Sequence, residues 1–137
     1  MDLRKAAAVY AIGTGGTLAA IWVGLLATGH DVVSGTGVFP FTDHLVPEAL
    51  TVGGLLLAGV GLLRGEAWGL PAFLVASGLF VYSALSSVGF YLGRGEAALA
   101  ASFAGLAALA ASFLGAAIVG ERRWRRVVVA DPLEPEL

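Results

Sequence analysis

Residues 97–120, AALAASFAGLAALAASFLGAAIVG, contain no Asp, Glu, Lys or Arg, and this stretch decides the fold. The hydrocarbon core of a bilayer is about 30 Å thick, so a helix needs about 20 apolar residues to cross it. Residues 97–120 meet that length, and a helix that is apolar on every face belongs in lipid or in the core of a much larger protein. The stretch therefore predicts a membrane-spanning helix.

Three further stretches without formal charge precede it, at residues 6–29, 49–63 and 67–93. The second holds only 15 such residues, so we expect its helix to begin near Asp43 and run to Leu63, with Pro47 tolerated in the first turn. Hydrophobic residues make up 58% of the chain and charged residues 13%, whereas roughly a quarter of the residues of a soluble domain are charged. The sequence predicts an all-α polytopic membrane protein, a four-helix transmembrane bundle of two hairpins with helices at about 6–28, 43–63, 68–92 and 96–120.

The basic residues predict the orientation of this bundle. Arg4 and Lys5 precede the first span and Arg64 lies between the second and third, whereas Arg94 falls on the opposite side. Four more arginines follow the fourth span. Cytoplasmic flanks carry an excess of Lys and Arg, so we expect both termini to be cytoplasmic and the protein to be integral to the cell (inner) membrane. Residues 127–137 would form an acidic, proline-containing cytoplasmic tail.

The cluster of basic residues that follows the fourth span has two interpretations. Basic side chains beside a membrane attract anionic lipid, and an indole favours headgroup depth. Candidate contacts to lipid headgroups are Arg122, Arg123, Trp124, Arg125 and Arg126. The alternative is an ordinary positively charged flank without specific lipid recognition.

The connection between the first two spans carries a candidate metal site. It holds His30, Asp31, Asp43 and His44, which are ligand types that zinc, manganese and iron accept. The spacing matches no established metal motif. The alternative is that Asp43 caps the second helix and that the histidines lie at the membrane interface.

Polar residues within the spans predict a small outward-facing vestibule. Glu48 and Thr51 lie about one turn apart in the second helix, and three serines follow one face of the third helix. The candidate ligand-binding residues are Glu48, Thr51, Ser83, Ser86 and Ser87. The alternative is that each hydroxyl donates a hydrogen bond to a carbonyl of its own helix or to a neighbouring span.

Small residues recur at four-residue spacing, most extensively in the fourth helix. That row consists of Ala100, Ala104, Ala108, Ser112 and Ala116. Such rows allow close helix approach, either within the bundle or between two copies of the chain.

The residue types also exclude several classes of functional site. The chain has no cysteine, which excludes thiolate metal sites and disulfides, and no ionisable residue lies deep in a span. We find no phosphate-binding glycine loop and no basic face for nucleic acid. We therefore predict a non-enzymatic membrane module without a cofactor, either an accessory subunit or a binder of a small apolar or amphipathic ligand in an outward-facing cavity. The alternatives are a transporter or channel formed by an oligomer, and a metal-binding or enzymatic protein acting at the outer rim. The expected partners are the lipid bilayer, a second copy or a larger membrane complex, and the amphipathic ligand.

Overall fold

Four long helices make up the part of the chain that the computed structural model describes, which is residues 3–27 and 41–130. Helix α1 is Leu3–Ala27, α2 is Phe41–Arg64, α3 is Gly69–Gly93 and α4 is Ala97–Ala130. All four are long and apolar enough to cross a membrane, over Leu3–Gly24, Val46–Arg64, Gly69–Gly93 and Ala97–Gly120. The predicted all-helical architecture with four helices of spanning length is confirmed.

Two helices have bounds that differ from the approximate ones predicted. Helix α4 continues ten residues beyond Gly120, through the basic cluster and into residues assigned to the tail. Residues 121–130 contain no glycine or proline, so no helix-breaking residue interrupts α4 there. Helix α2 begins at Phe41, which places Pro47 in its second turn and not in its first. Thr51 Oγ1 donates to the carbonyl of Pro47 over 2.9 Å.

The α2–α3 and α3–α4 connections use the same turn. In the first, Gly65 has φ 75° and the N–H of Glu66 donates to the carbonyl of Gly61 over 3.0 Å. In the second, Gly95 has φ 74° and the N–H of Glu96 donates to Tyr91 over 2.9 Å. Each is a glycine-centred helix end that pairs carbonyls otherwise left without a donor. The two turns reverse the chain within a few residues and make neighbouring helices antiparallel.

The bundle has two ends of different charge. Arg4, Lys5 and Arg64 lie at the end where α1 begins, called here the basic end. The opposite end holds the α3–α4 turn. At the basic end, α2 and α3 approach most closely, since a Cβ added to Gly69 would lie 2.6 Å from the carbonyl carbon of Gly61. Small residues thus let these two backbones touch, as they do in membrane helix pairs.

The helices pack as α1 on α2, α2 on α3 and α3 on α4, whereas α1 and α4 meet over a much shorter stretch. Near the basic end the core is aromatic. The ring of Tyr10 stacks on Phe113 of α4 at 4.4 Å between centroids and lies edge-on to the fully buried Phe73 of α3 at 6.4 Å. This aromatic group ties α1 to α3 and α4.

The four-residue row on α4 does not form one face. Ala100 is buried and Ala116 is partly buried, whereas Ala104, Ala108 and Ser112 are exposed. Because a four-residue step exceeds one turn by about 40°, such a row winds around the helix. One end of the row packs inside the bundle and its middle faces outward.

Candidate ligand-binding site

Each helix presents one stripe of residues at seven-residue spacing toward the bundle axis. From the basic end, the stripes are Ala8, Gly15 and Trp22; Leu62, Leu55 and Glu48; Phe73, Phe80 and Ser87; and Ala117, Ala110 and Phe103. The first two members of every stripe are buried, and the third is partly exposed. The third members lie two heptads, about 21 Å, beyond the first, toward the opposite end. We call Trp22, Glu48, Ser87 and Phe103 the mouth layer.

Glu48 is the carboxylate of the mouth layer. Its Oε1 accepts a hydrogen bond of 2.5 Å from Ser83 Oγ on the neighbouring helix α3. Both residues are partly buried, and Leu55, one heptad along from Glu48, is fully buried. The structure thus joins two of the predicted ligand-binding residues across a helix interface and holds the carboxylate toward the bundle axis.

The hydroxyl groups of the other three predicted residues donate hydrogen bonds to carbonyls of their own helices. Thr51 is buried and donates to Pro47, whereas Ser86 is exposed and donates to the carbonyl of Tyr82 over 3.0 Å. Ser87 donates to the carbonyl of Ser83 over 3.0 Å. A hydroxyl that donates in this way keeps an acceptor lone pair. Ser87 therefore offers an acceptor one helical turn from Ser83, the residue that donates to Glu48.

Aromatic rings accompany the carboxylate at this end of the bundle. Phe103 stacks on Tyr91 at 5.4 Å between centroids, and Tyr91 meets Phe90 edge-on at 5.2 Å. Arg94 is the one basic residue at this end whose side chain is described. It lies 5.4 Å above the ring of Phe90, and its Nε donates to Glu96 Oε1 over 2.9 Å.

The boundary between α1 and α4 is closed near the basic end and open beyond it. Leu3 contacts Gly120, and one heptad further along Tyr10 stacks on Phe113. The next heptad pairs Thr17 with Leu106 in register. Both are exposed, Leu106 by 40%, and Thr17 Oγ1 donates to the carbonyl of Gly13 within its own helix. Both helices thus expose these side chains beyond the Tyr10–Phe113 stack, and we call this surface the α1–α4 cleft.

The predicted metal-binding and lipid-binding residues fall largely outside the part described. His30 and Asp31 lie outside the described residues, and Asp43 and His44 lie in the first turn of α2, where only the backbone is described. Among the side chains that the structure describes, no group of three or more His, Cys, Asp or Glu is placed to hold a metal ion. Residues 122–126 lie in α4, again with the backbone alone described.

Sequence reasoning missed Trp22, Phe103 and the α1–α4 cleft. The missed signal is the seven-residue repeat, which places Trp22 two heptads from Ala8 and Phe103 two heptads from Ala117. A helical wheel for each span would have put them on the faces that carry the smallest residues. Which stripes meet at the axis could only be read from the packed bundle.

Fold and site together define a bundle of four apolar helices with a partly exposed layer of carboxylate, hydroxyl and aromatic groups near one end. The chain belongs to the family described as a domain of unknown function, DUF8058, whose model matches residues 1–128. No curated protein and no solved structure matches the chain.

Proposed function

We propose that the bundle spans the cell membrane with its basic end in the cytoplasm. The length and apolar character of the four helices support insertion. The distribution of arginine and lysine supports the orientation, because Arg4, Lys5 and Arg64 flank one end and Arg94 alone flanks the other. In this orientation the mouth layer lies in the outer half of the membrane, and both chain termini are cytoplasmic.

The function supported best is that of a non-enzymatic membrane module that binds a small amphipathic ligand at the mouth layer. The observation that carries it is the hydrogen bond that Glu48, near the outer end of the apolar segment Val46–Arg64, accepts from Ser83 of α3. Ionisable residues within membrane spans are costly and tend to mark functional sites. Trp22 and Phe103 lie at the same end of the bundle as this carboxylate and are partly exposed, so one polar anchor is accompanied by apolar side chains. Ligand sites commonly combine these two elements.

Native mass spectrometry of the full-length protein, released from its own membranes in lipid nanodiscs, tests this function. We expect a small organic adduct on the wild-type protein that is depleted in Glu48→Gln and in Ser83→Ala. Glu96→Gln is the matched control, because Glu96 lies at the same end but pairs with Arg94. An adduct retained equally in all four proteins would contradict binding at the mouth layer. A wild-type protein that carries another protein chain and no small adduct would favour an accessory subunit instead.

A further inference from the structure

Helix α4 leaves the bundle at its basic end as a ten-residue extension. The spanning segment Ala97–Gly120 ends at Gly120, where an added Cβ would lie 3.0 Å from Leu3, the first residue of α1. Residues 121–130, called here the α4 extension, continue the helix about 15 Å beyond this contact. We infer that the α4 extension binds anionic phospholipid headgroups of the cytoplasmic leaflet through one arginine-bearing face. This inference rests on the membrane insertion proposed above and not on the ligand of the mouth layer.

The distance of the arginines from the span is the first support. Four arginines follow Gly120 by two to six residues, Arg122, Arg123, Arg125 and Arg126. Along a helix axis this spacing corresponds to about 3–9 Å, and the headgroup region of a bilayer extends about 5–7 Å beyond the hydrocarbon on each side. Basic residues at this depth attract anionic lipid, and a guanidinium group can donate two parallel hydrogen bonds to a phosphate.

The position of the arginines around the helix is the second support. Because α4 is continuous from Ala97 to Ala130, the exposed face of the span continues into the extension. Arg122 lies one heptad from Gly115 and Arg126 lies one heptad from Val119, and both of these span residues are exposed. The two arginine positions therefore lie on the side of α4 that faces away from the bundle, where lipid headgroups surround the protein.

The opposite side of the extension carries apolar residues. Trp124 lies one heptad from the buried Ala117, and Val128 lies about three turns from the same alanine. Val127 lies one heptad from Gly120, the glycine that meets the start of α1. Helices with basic and apolar residues on separate faces are typical of membrane surfaces. An ordinary basic flank requires only a number of charges, whereas here the charges are also arranged by face.

The charges near the extension are the third support. Three basic residues are exposed at the basic end of the bundle itself, Arg4, Lys5 and Arg64. Glu66 brings one negative charge to the same end. The acidic residues of the stretch 131–136 come after Ala130, which lies about 15 Å beyond Gly120 along the helix axis. The helix thus places its arginines nearer to the membrane than the start of the acidic stretch.

The test uses the full chain in nanodiscs that contain equal amounts of phosphatidylglycerol and phosphatidylcholine with the same acyl chains. Native mass spectrometry of the protein that retains a single lipid gives the ratio of the two lipids on the protein, which is divided by their ratio in the nanodisc. Both leaflets have the same composition, so the orientation of the protein does not affect this enrichment. We expect phosphatidylglycerol to be enriched at least about fivefold, the factor that a single cation contributes near an anionic surface. The enrichment should fall in about 1 M ammonium acetate, where the Debye length is about 3 Å.

Two variants distinguish the arrangement of the arginines from their number. The first, Arg122→Gln with Arg126→Gln, removes two cations from the outward face and should lower the enrichment at least about threefold. The second combines Arg122→Val and Arg126→Val with Val127→Arg and Val128→Arg. It keeps the composition and the number of arginines but moves two of them to the side of the bundle, so it should lose as much. Arg94→Gln, at the opposite end, is the control and should keep the enrichment of the wild type. Circular dichroism checks that all four proteins have the same helix content.

The outcomes separate this inference from the insertion on which it rests. An enrichment that the permuted variant retains would show that the number of charges is sufficient, which overturns the arginine-bearing face. Equal retention of both lipids by the wild type in nanodiscs would refute lipid recognition and leave the insertion standing. A protein that does not enter nanodiscs would contradict both. If a short RNA displaces phosphatidylglycerol from the wild type but inorganic phosphate does not, the arginines belong to a nucleic-acid site and the inference is wrong.

Discussion

The substitution Gly69→Ala should separate α2 from α3 at the basic end. The added Cβ would lie 2.6 Å from the carbonyl carbon of Gly61 and 2.7 Å from the backbone nitrogen of Leu62. Ordinary contact begins at 3.4 Å, so the helices must move apart by about 0.8 Å, because backbone atoms cannot rotate away as a side chain does. Overpacking of this kind typically costs about 1–3 kcal/mol of the free energy of unfolding.

The same substitution also has a smaller, stabilising effect on the free energy of unfolding. Replacing glycine by alanine in an unstrained helix stabilises a protein by about 0.4–1 kcal/mol, because the unfolded chain loses conformational freedom. Gly78→Ala on the same helix isolates this effect, since a Cβ there meets nothing within 4 Å. We therefore expect Gly78→Ala to be stabilising and Gly69→Ala to be destabilising, with a difference of about 2 kcal/mol between the two variants.

Unfolding by sodium dodecyl sulfate in mixed micelles measures this difference. Far-ultraviolet circular dichroism follows the helices. In a Trp22→Phe, Trp124→Phe background, the fluorescence of Trp68 reports locally because its ring lies over Gly61. Loss of the close contact should change the Trp68 signal of the folded Gly69→Ala protein as well as its midpoint. If Gly69→Ala proves as stable as Gly78→Ala, the close approach of α2 and α3 described above is refuted.

Three other substitutions test the core, the site and a turn. Phe73→Ala should lower the free energy of unfolding by about 3 kcal/mol because it opens a cavity at a fully buried ring. Val75→Ala, at a 67% exposed position, is the control and should change the free energy of unfolding little in the same sodium dodecyl sulfate titration. Ser83→Ala should cost about 0.6–1.7 kcal/mol through its lost interhelical hydrogen bond, and a double-mutant cycle with Glu48→Gln measures that coupling, with the exposed Ser86→Ala as the control. Gly95→Ala should cost about 1–2 kcal/mol because its φ is 74°, seen as a lower thermal midpoint; an unchanged midpoint would argue against this turn geometry.

The hydroxyl groups show which hydrogen bonds can be predicted from the local sequence and which cannot. Spacing alone predicted that serines and threonines within the spans could donate to carbonyls of their own helices, and Thr17, Thr51, Ser86 and Ser87 do so. Ser83 differs from these four because it donates to Glu48, 35 residues away in the sequence. An i to i−4 bond follows from helix geometry, whereas a bond between helices depends on which faces meet.

Some helix ends could likewise be predicted from the sequence, whereas another could not. The two glycine turns were predictable because glycine is favoured where φ is positive. The extension of α4 through residues 121–130 was missed because the prediction ended the helix where the apolar stretch ends. Charge marks the boundary of a membrane span, but a helix stops only where its backbone conformation becomes unfavourable. The two boundaries differ in α4 by ten residues.

The sequence by itself determined that this chain forms four apolar helices, with tight glycine turns after the second and third, because hydrophobic length, charge distribution and glycine position act locally along the chain. The tertiary structure decided which stripes face the bundle axis, that Glu48 meets Ser83, and that α1 and α4 meet over a short stretch where Tyr10 stacks on Phe113. These features depend on packing between helices. In spans that are apolar on all faces, no polar face reveals which side will be buried, so helix rotation is set by the fit of small and large side chains.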